Sequence, residues 1–267
     1  MTAYPAPGIN AARPYLGWAN INEYENSSNA NYNSLQASLR MSSWHGLTGG
    51  AAYTYSHCLD YVDNDNPGGN AFNAYNLARE YSHCGFDVRH TLIVNYVYSL
   101  PLFNQASGVK RTALGGWQLS GVSTFYSGLP FTIGAQSGDI AHCGCGGYRA
   151  NLVGDPNSGA GIHTQAQWFN KAAFASDPAG EFGTEARNVM RGQGINNFDL
   201  SVYKNFAGIP LPRSKEGGTL QIRVESYNLF NHTQFNGYAT GFGSGNFGQA
   251  TSARLPRQLQ LGLKFLF

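Results

Sequence analysis

The sequence is poor in charge. Of its 267 residues only 12% are Asp, Glu, Lys or Arg, against about 25% in ordinary soluble domains. The formal net charge of +2 is small and unclustered, which excludes the basic footprint of a nucleic-acid binder. No apolar run approaches the roughly 18 residues that a spanning helix needs. Mean hydropathy is −0.31, so a helical membrane protein is excluded too. The opening residues, Met1-Thr-Ala-Tyr-Pro-Ala-Pro-Gly8, have neither a basic nor an apolar segment, so no secretory signal is read there. Cysteine is sparse: Cys58, Cys84, Cys143 and Cys145. What the chain has in quantity is Gly, 34 residues, and aromatics, with 16 Tyr and 16 Phe.

The final segment, Leu259-Gln-Leu-Gly-Leu-Lys-Phe-Leu-Phe267, alternates. Leu259, Leu261, Leu263, Phe265 and Phe267 are apolar, while Gln260, Gly262 and Lys264 are polar or small. A strand sends successive side chains to opposite faces, so this one has a greasy face and a polar face. Similar alternation marks residues 16–27, 31–43, 46–58, 87–100, 116–129, 197–206 and 219–230. That makes about eight strands of roughly ten residues or more, whereas strands of globular proteins are commonly about 5–6 residues long. A tilted strand needs about 9–11 residues to cross a bilayer. The fold class expected is therefore all-β, an antiparallel transmembrane barrel segment with long loops. Residues 1–15 are read as an irregular lead and 16–267 as barrel.

The connections are sorted by length. Those near residues 43–45, 101–115 and 208–218 are short or moderate; those at 59–86, 130–196 and 231–256 are long. Outer-membrane barrels keep short turns on the periplasmic rim and long loops on the outer rim. Charge on the lipid face at midplane would cost about 2–4 kcal/mol for Arg or Lys. Arg40, Arg89, Gln118, Arg223 and Glu225 are accordingly expected to face the lumen. Arg223 and Glu225, two apart on one strand face, suit an ion pair. Trp117, Tyr96 and Tyr98 suit an interfacial girdle. Leu35, Leu39, Leu92, Val94, Leu200, Leu220, Ile222, Leu261, Leu263 and Phe265 are expected to point outward and stay exposed. Substantial helix outside the long loop would contradict this reading, whereas one short helix near 165–174, where the loop has helical content, would not.

Cys58 and Cys84 flank one loop and suit a disulfide staple in an oxidising compartment such as the periplasm. His142 beside Cys143-Gly-Cys145 lacks a fourth ligand at a recognised zinc spacing, so a disulfide or free thiols is the reading there. No catalytic, cofactor or metal residues are expected. Asp199 and Glu225 as a hydrolytic pair has no other support.

Several segments resemble the TonB-dependent outer-membrane transporters of the Oar-like type. They are Tyr32-Asn-Ser-Leu-Gln-Ala-Ser-Leu39, Arg89-His-Thr-Leu92, Gly115-Gly-Trp-Gln-Leu-Ser-Gly121 and Ser127-Gly-Leu-Pro-Phe131. Asn151-Leu-Val-Gly-Asp-Pro156, Trp168-Phe-Asn170, Arg187-Asn-Val-Met-Arg-Gly192, Asn197-Phe-Asp-Leu-Ser201 and Asn228-Leu-Phe-Asn-His-Thr-Gln-Phe235 continue the match, in order, from about Arg13 to the last strand. The resemblance implies the C-terminal part of a barrel of about 22 strands. It implies energy-coupled uptake of a large ligand, no enzyme activity, and TonB, ExbB and ExbD as partners through plug and regulatory parts outside this sequence. Outer-membrane lipid and the barrel assembly machinery are further partners, the latter reading Leu259 to Phe267 as an assembly signal. Two other classes fit the alternating strands and long loops less closely. One is a self-contained small barrel acting as an adhesin or structural protein. The other is a soluble β-sandwich that binds glycans by stacking exposed Trp168, Tyr148 and Phe169 on sugars.

Overall fold

The computed structural model describes residues 15, 17–18, 27–62, 76–135, 148–211 and 214–267, with the side chains of 214–216 set aside. The expected strand at 16–27 lies almost wholly outside the described residues, as do His142, Cys143 and Cys145.

Seven long strands form one antiparallel meander. They are β1 (Ala30–Trp44), β2 (Leu47–Asp60), β3 (His90–Ser99), β4 (Trp117–Tyr126), β5 (Ile195–Leu211), β6 (Ser214–Tyr227) and β7 (Gln258–Leu266). Each pairs with its sequence neighbour in the order β1 to β7, and the short strand Ser82–His83 adds to β2. The sheet is open: among the described residues β1 and β7 each keep one unpaired edge.

The register turns seven separate alternations into two continuous faces. Leu39, Ala51, Val94, Ser123 and Phe198 stand in one cross-strand row, and Leu47, Tyr98, Leu119, Val202, Val224 and Leu261 in another. The opposite face carries rows such as Arg40, Gly50, Asn95, Val122 and Asp199, or Gln118, Tyr203, Arg223 and Gly262. A slip of one residue anywhere would send apolar groups to the polar face. The β1–β2 turn helps prevent it. His45 and Gly46 both have positive φ (47° and 84°), the primed hairpin geometry whose twist matches the flanking strands.

Among the described residues no second sheet covers the apolar face. Leu35 is 66% exposed and Leu261 82%, and Leu39, Leu263 and Phe265 are exposed as well. The expectation of full exposure is corrected for Leu92, Val94, Leu200, Leu220 and Ile222, which are half-buried. They lie on inner strands, where paired neighbours such as Tyr53 beside Leu92 and Phe265 beside Leu220 shield them.

Helix is sparse. At 165–174, where a short helix is compatible with the all-β reading, a 3₁₀ turn forms, Lys171–Ala173, capped by the Asn170 side chain accepting from the Ala172 N–H. A seven-residue α-helix, α1 (Gly108–Leu114), forms in the connection between β3 and β4. The 208–218 connection is not a loop, because β5 and β6 extend through most of it.

Candidate functional site: the loop cap and the polar face

The long connections are not structureless. Residues 127–135, 148–194 and 228–257 fold together into a cap with its own core: Ile133, Ala150, Trp168, Phe169, Ala173, Phe174, Met190 and Phe247. Three short ladders frame it, Pro130–Phe131 with Met190–Arg191, Asn151–Leu152 with Phe174–Ala175, and Phe235–Tyr238 with Ala250–Ala253. Backbone bonds then sew one loop to the other. Trp168 N–H donates to Gly248 O (2.7 Å), Ala250 N–H to Gln165 O (2.9 Å), and Phe242 N–H to Gly134 O (2.9 Å). Tyr238 stacks on Phe131 at 4.9 Å.

This corrects the idea of an exposed sugar-stacking platform. Trp168 is 6% and Phe169 1% exposed, and Tyr148 is half-buried. The Trp168 indole N–H donates to Arg191 O (2.9 Å), which satisfies the polar end of a ring buried against Tyr238.

A third segment, 76–89, and the end of β2 are clasped to this cap by charge. Arg149 pairs with Glu80 where both side chains are nearly inaccessible. Arg187 pairs with Asp60, and Arg191 with Asp87. Asn188 Nδ2 donates to His83 O (2.8 Å) and its backbone N–H to Thr132 Oγ1 (2.9 Å). The stretch 187–191 thus ties the end of β2 and the 76–89 segment to the cap. Cys58 on β2 and Cys84 in the 76–89 segment form a disulfide, with Cα atoms 5.4 Å apart. Arg89 sits just before β3 and pairs with Asp87 at 2.9 Å. It takes part in this clasp.

His57, His83 and Asp87 bring their ligand atoms within 4.8 Å of one another. Their chemistry does not suit a cation. One Asp87 oxygen accepts from Cys58 N–H and the other from Arg89 and Arg191. Burial, then Arg191 and Arg89, lower the His83 pKa, so it stays neutral beside two guanidinium groups.

Glu185 is the most perturbed acid of the cap. Burial pushes its pKa to about 8, against the pull of the Ile133 N–H and Arg149. One oxygen accepts from Ile133 N–H (3.1 Å). The other is buried with no hydrogen-bond partner among the described residues.

The polar face of the sheet carries the rest of the expected residues. Arg223 and Glu225 form an ion pair at 3.1 Å, and the Arg223 guanidinium lies 5.4 Å from the Tyr203 ring. Gln118 stands in that row, and Arg40 is exposed on the same face. Asp199 and Glu225 are engaged separately, Asp199 by Asn228 N–H (2.9 Å) and Glu225 by Arg223 and Tyr227, so they make no paired-acid centre. Asp60, Glu80, Arg149 and Glu185 are the residues the sequence reading missed. Their only signal was the rarity of charge in the chain, since an ion inside an aromatic-rich loop needs a partner.

Lys204 stands on the apolar face, in a row with Trp117, Ile222 and Leu263. It is 3% exposed. Its ammonium donates to Gly115 O and lies 5.8 Å from the Trp117 ring and 5.0 Å from the Phe206 ring. The long stem packs along apolar surface while the charge reaches the rim, the usual solution for a lysine at a membrane boundary.

No curated protein and no solved structure matches this chain. The family profile described as Outer membrane beta barrel domain matches residues 1–260. With its long strands, two-faced sheet and uncovered apolar side, the chain belongs to that outer-membrane β-barrel family and resides in the outer membrane.

Proposed function

We propose that this chain is the C-terminal part of the barrel of a TonB-dependent receptor for energy-coupled uptake of a large ligand. The observation that carries the reading is the open sheet. A membrane-spanning sheet must close, because an unpaired edge in hydrocarbon leaves a row of unsatisfied N–H and C=O groups. Here β1 and β7 both present such edges among the described residues. Further strands are needed to join them, as in a larger barrel. The cap fits the same reading, since it projects a rigid surface from the outer rim where a large ligand first meets the protein. The order of motifs from Tyr32 to Phe235 supports the Oar-like assignment. Leu259 to Phe267 serve as the segment read by the assembly machinery, an apolar alternating strand able to add to another sheet edge.

The test has two arms. The reading frame upstream of residue 1 encodes a plug domain, and uptake by the parent protein stops when TonB is deleted or the proton-motive force is collapsed. A secretion signal directly upstream, or transport indifferent to TonB, would replace this reading with a self-contained small barrel.

A further inference from the structure

The β3–β4 connection is unlike the other features of its rim. Every residue of α1 is exposed. Val109 is 83% exposed, and Leu102, Phe103 and Leu114 are exposed with it. A helix of seven residues is well below the length that persists unaided in water. Its C-terminal end is nevertheless pinned to the sheet. The Trp117 indole N–H donates to Ala113 O (3.2 Å) and the Lys204 ammonium to Gly115 O.

Two independent observations say what covers it. The first is continuity with the lipid-facing surface. The connection leaves the sheet beside Trp117 and Lys204 on the apolar face. On the same face and rim lies a groove of about 320 Å³ lined by Trp44, His45, Leu47, Tyr96, Tyr98 and Leu119. Its floor is close-packed: a Cβ on Gly121 would fall 2.5 Å from the Tyr96 ring. The second is charge. The rim formed by the connections near 45 and 101–116 and by the strand ends beside them carries the basic residues Lys110, Arg111, Lys204 and Lys264. At the opposite rim the acids Asp60, Glu80 and Asp87 are paired with Arg187, Arg149 and Arg191, so charge there is mixed.

We propose that residues 101–116 form a membrane-surface anchor that binds the anionic phospholipid of the leaflet on the short-turn side. Leu102, Phe103, Val109 and Leu114 enter the acyl boundary, the aromatic groove receives an acyl chain, and Lys110 and Arg111 meet lipid phosphates. This is the chemistry of an interfacial helix: apolar groups a few ångströms into the boundary and basic groups at the headgroups. Each basic side chain held near an anionic surface strengthens its attraction roughly fivefold.

The experiment is hydrogen–deuterium exchange on the full-length protein in nanodiscs. One set is pure phosphatidylcholine and the other contains phosphatidylglycerol. The amides of Gly108–Leu114 are expected to exchange more than roughly tenfold slower in the anionic discs. Lys110→Gln with Arg111→Gln abolishes that difference, whereas Lys110→Arg with Arg111→Lys retains it. The β3 and β4 amides serve as the reference for an intact fold. Equal exchange of α1 in both discs, or a lipid difference that survives the glutamine pair, would overturn the proposal.

Discussion

The sheet and the cap solve opposite problems with the same chain. In the sheet, Leu39, Leu261 and Leu263 are exposed while Lys204 and Ser226 are buried. In the cap, Phe169 and Met190 are buried, as in any water-soluble domain. The difference shows which solvent each region was shaped for. Hydrocarbon stabilises the outward side chains of the sheet, so its cohesion rests on the ladder of backbone bonds. Water drives the cap together through its apolar core, and ion pairs and one disulfide then lock the loops.

The sharpest way to separate the regions is to empty the cap core. Phe169→Ala removes a ring that meets Phe174 and Phe247 at 5.5 and 5.2 Å and is expected to cost about 3–5 kcal/mol. Limited proteolysis within 127–194 rises, while the heat-modifiable gel shift that reports the folded sheet persists. Simultaneous loss of both would mean that the regions fold as one unit.

Removing the Cys58–Cys84 disulfide, which spans 26 residues, frees the loop in the unfolded state and is expected to cost about 3–4 kcal/mol. Thermal scans of the Ser double variant under oxidising conditions check this, with proteolysis concentrated in 61–89.

Val94→Arg places charge mid-strand on the apolar face and is expected to cost about 2–4 kcal/mol. Asn95→Arg, one residue along, turns the same charge to the polar face and leaves stability nearly unchanged. Equal penalties in denaturant titrations in lipid would break the two-faced account.

The smallest effect, per pH unit, belongs to Glu185. Its folded pKa is about 8, raised from 4.5, so the folded cap holds a proton that the unfolded chain releases. Cap stability is therefore full below about pH 4.5 and falls as pH rises toward 8, by up to about 1.4 kcal/mol per pH unit. Near-UV circular dichroism of the cap against pH should show this slope, and Glu185→Gln should flatten it.

The sheet was readable because a period of two survives in residues such as Leu35, Leu39, Leu92 and Val94, and the hairpin at His45–Gly46 keeps the register. Lys204 breaks that pattern. It is tolerated because its position at the rim offers Gly115 O and two ring faces, a tertiary circumstance that periodicity does not encode. The cap was hidden for a different reason. Ile133, Ala150, Trp168, Phe174 and Phe247 are far apart in sequence and follow no period, so a Gly- and Asn-rich stretch with scattered aromatics read as loop. Arg187 and Arg191 stood in a quoted motif, but their partners Asp60 and Asp87 lie over 100 residues away. The α1 helix has Ser107 at its N-terminal boundary, a start signal too short of apolar repeats to weigh against a turn.

The central claim is that one face of the sheet meets lipid and the other a polar interior. Nitroxide labels placed singly from Thr91 to Val97 on β3, with Cys143 and Cys145 replaced by Ser, test it most directly in bilayers. The account predicts strict alternation. Labels at 92, 94 and 96 collide with membrane-dissolved oxygen, and those at 91, 93, 95 and 97 with a water-soluble nickel relaxant. Uniform accessibility along β3, or alternation with the two sets exchanged, would contradict it.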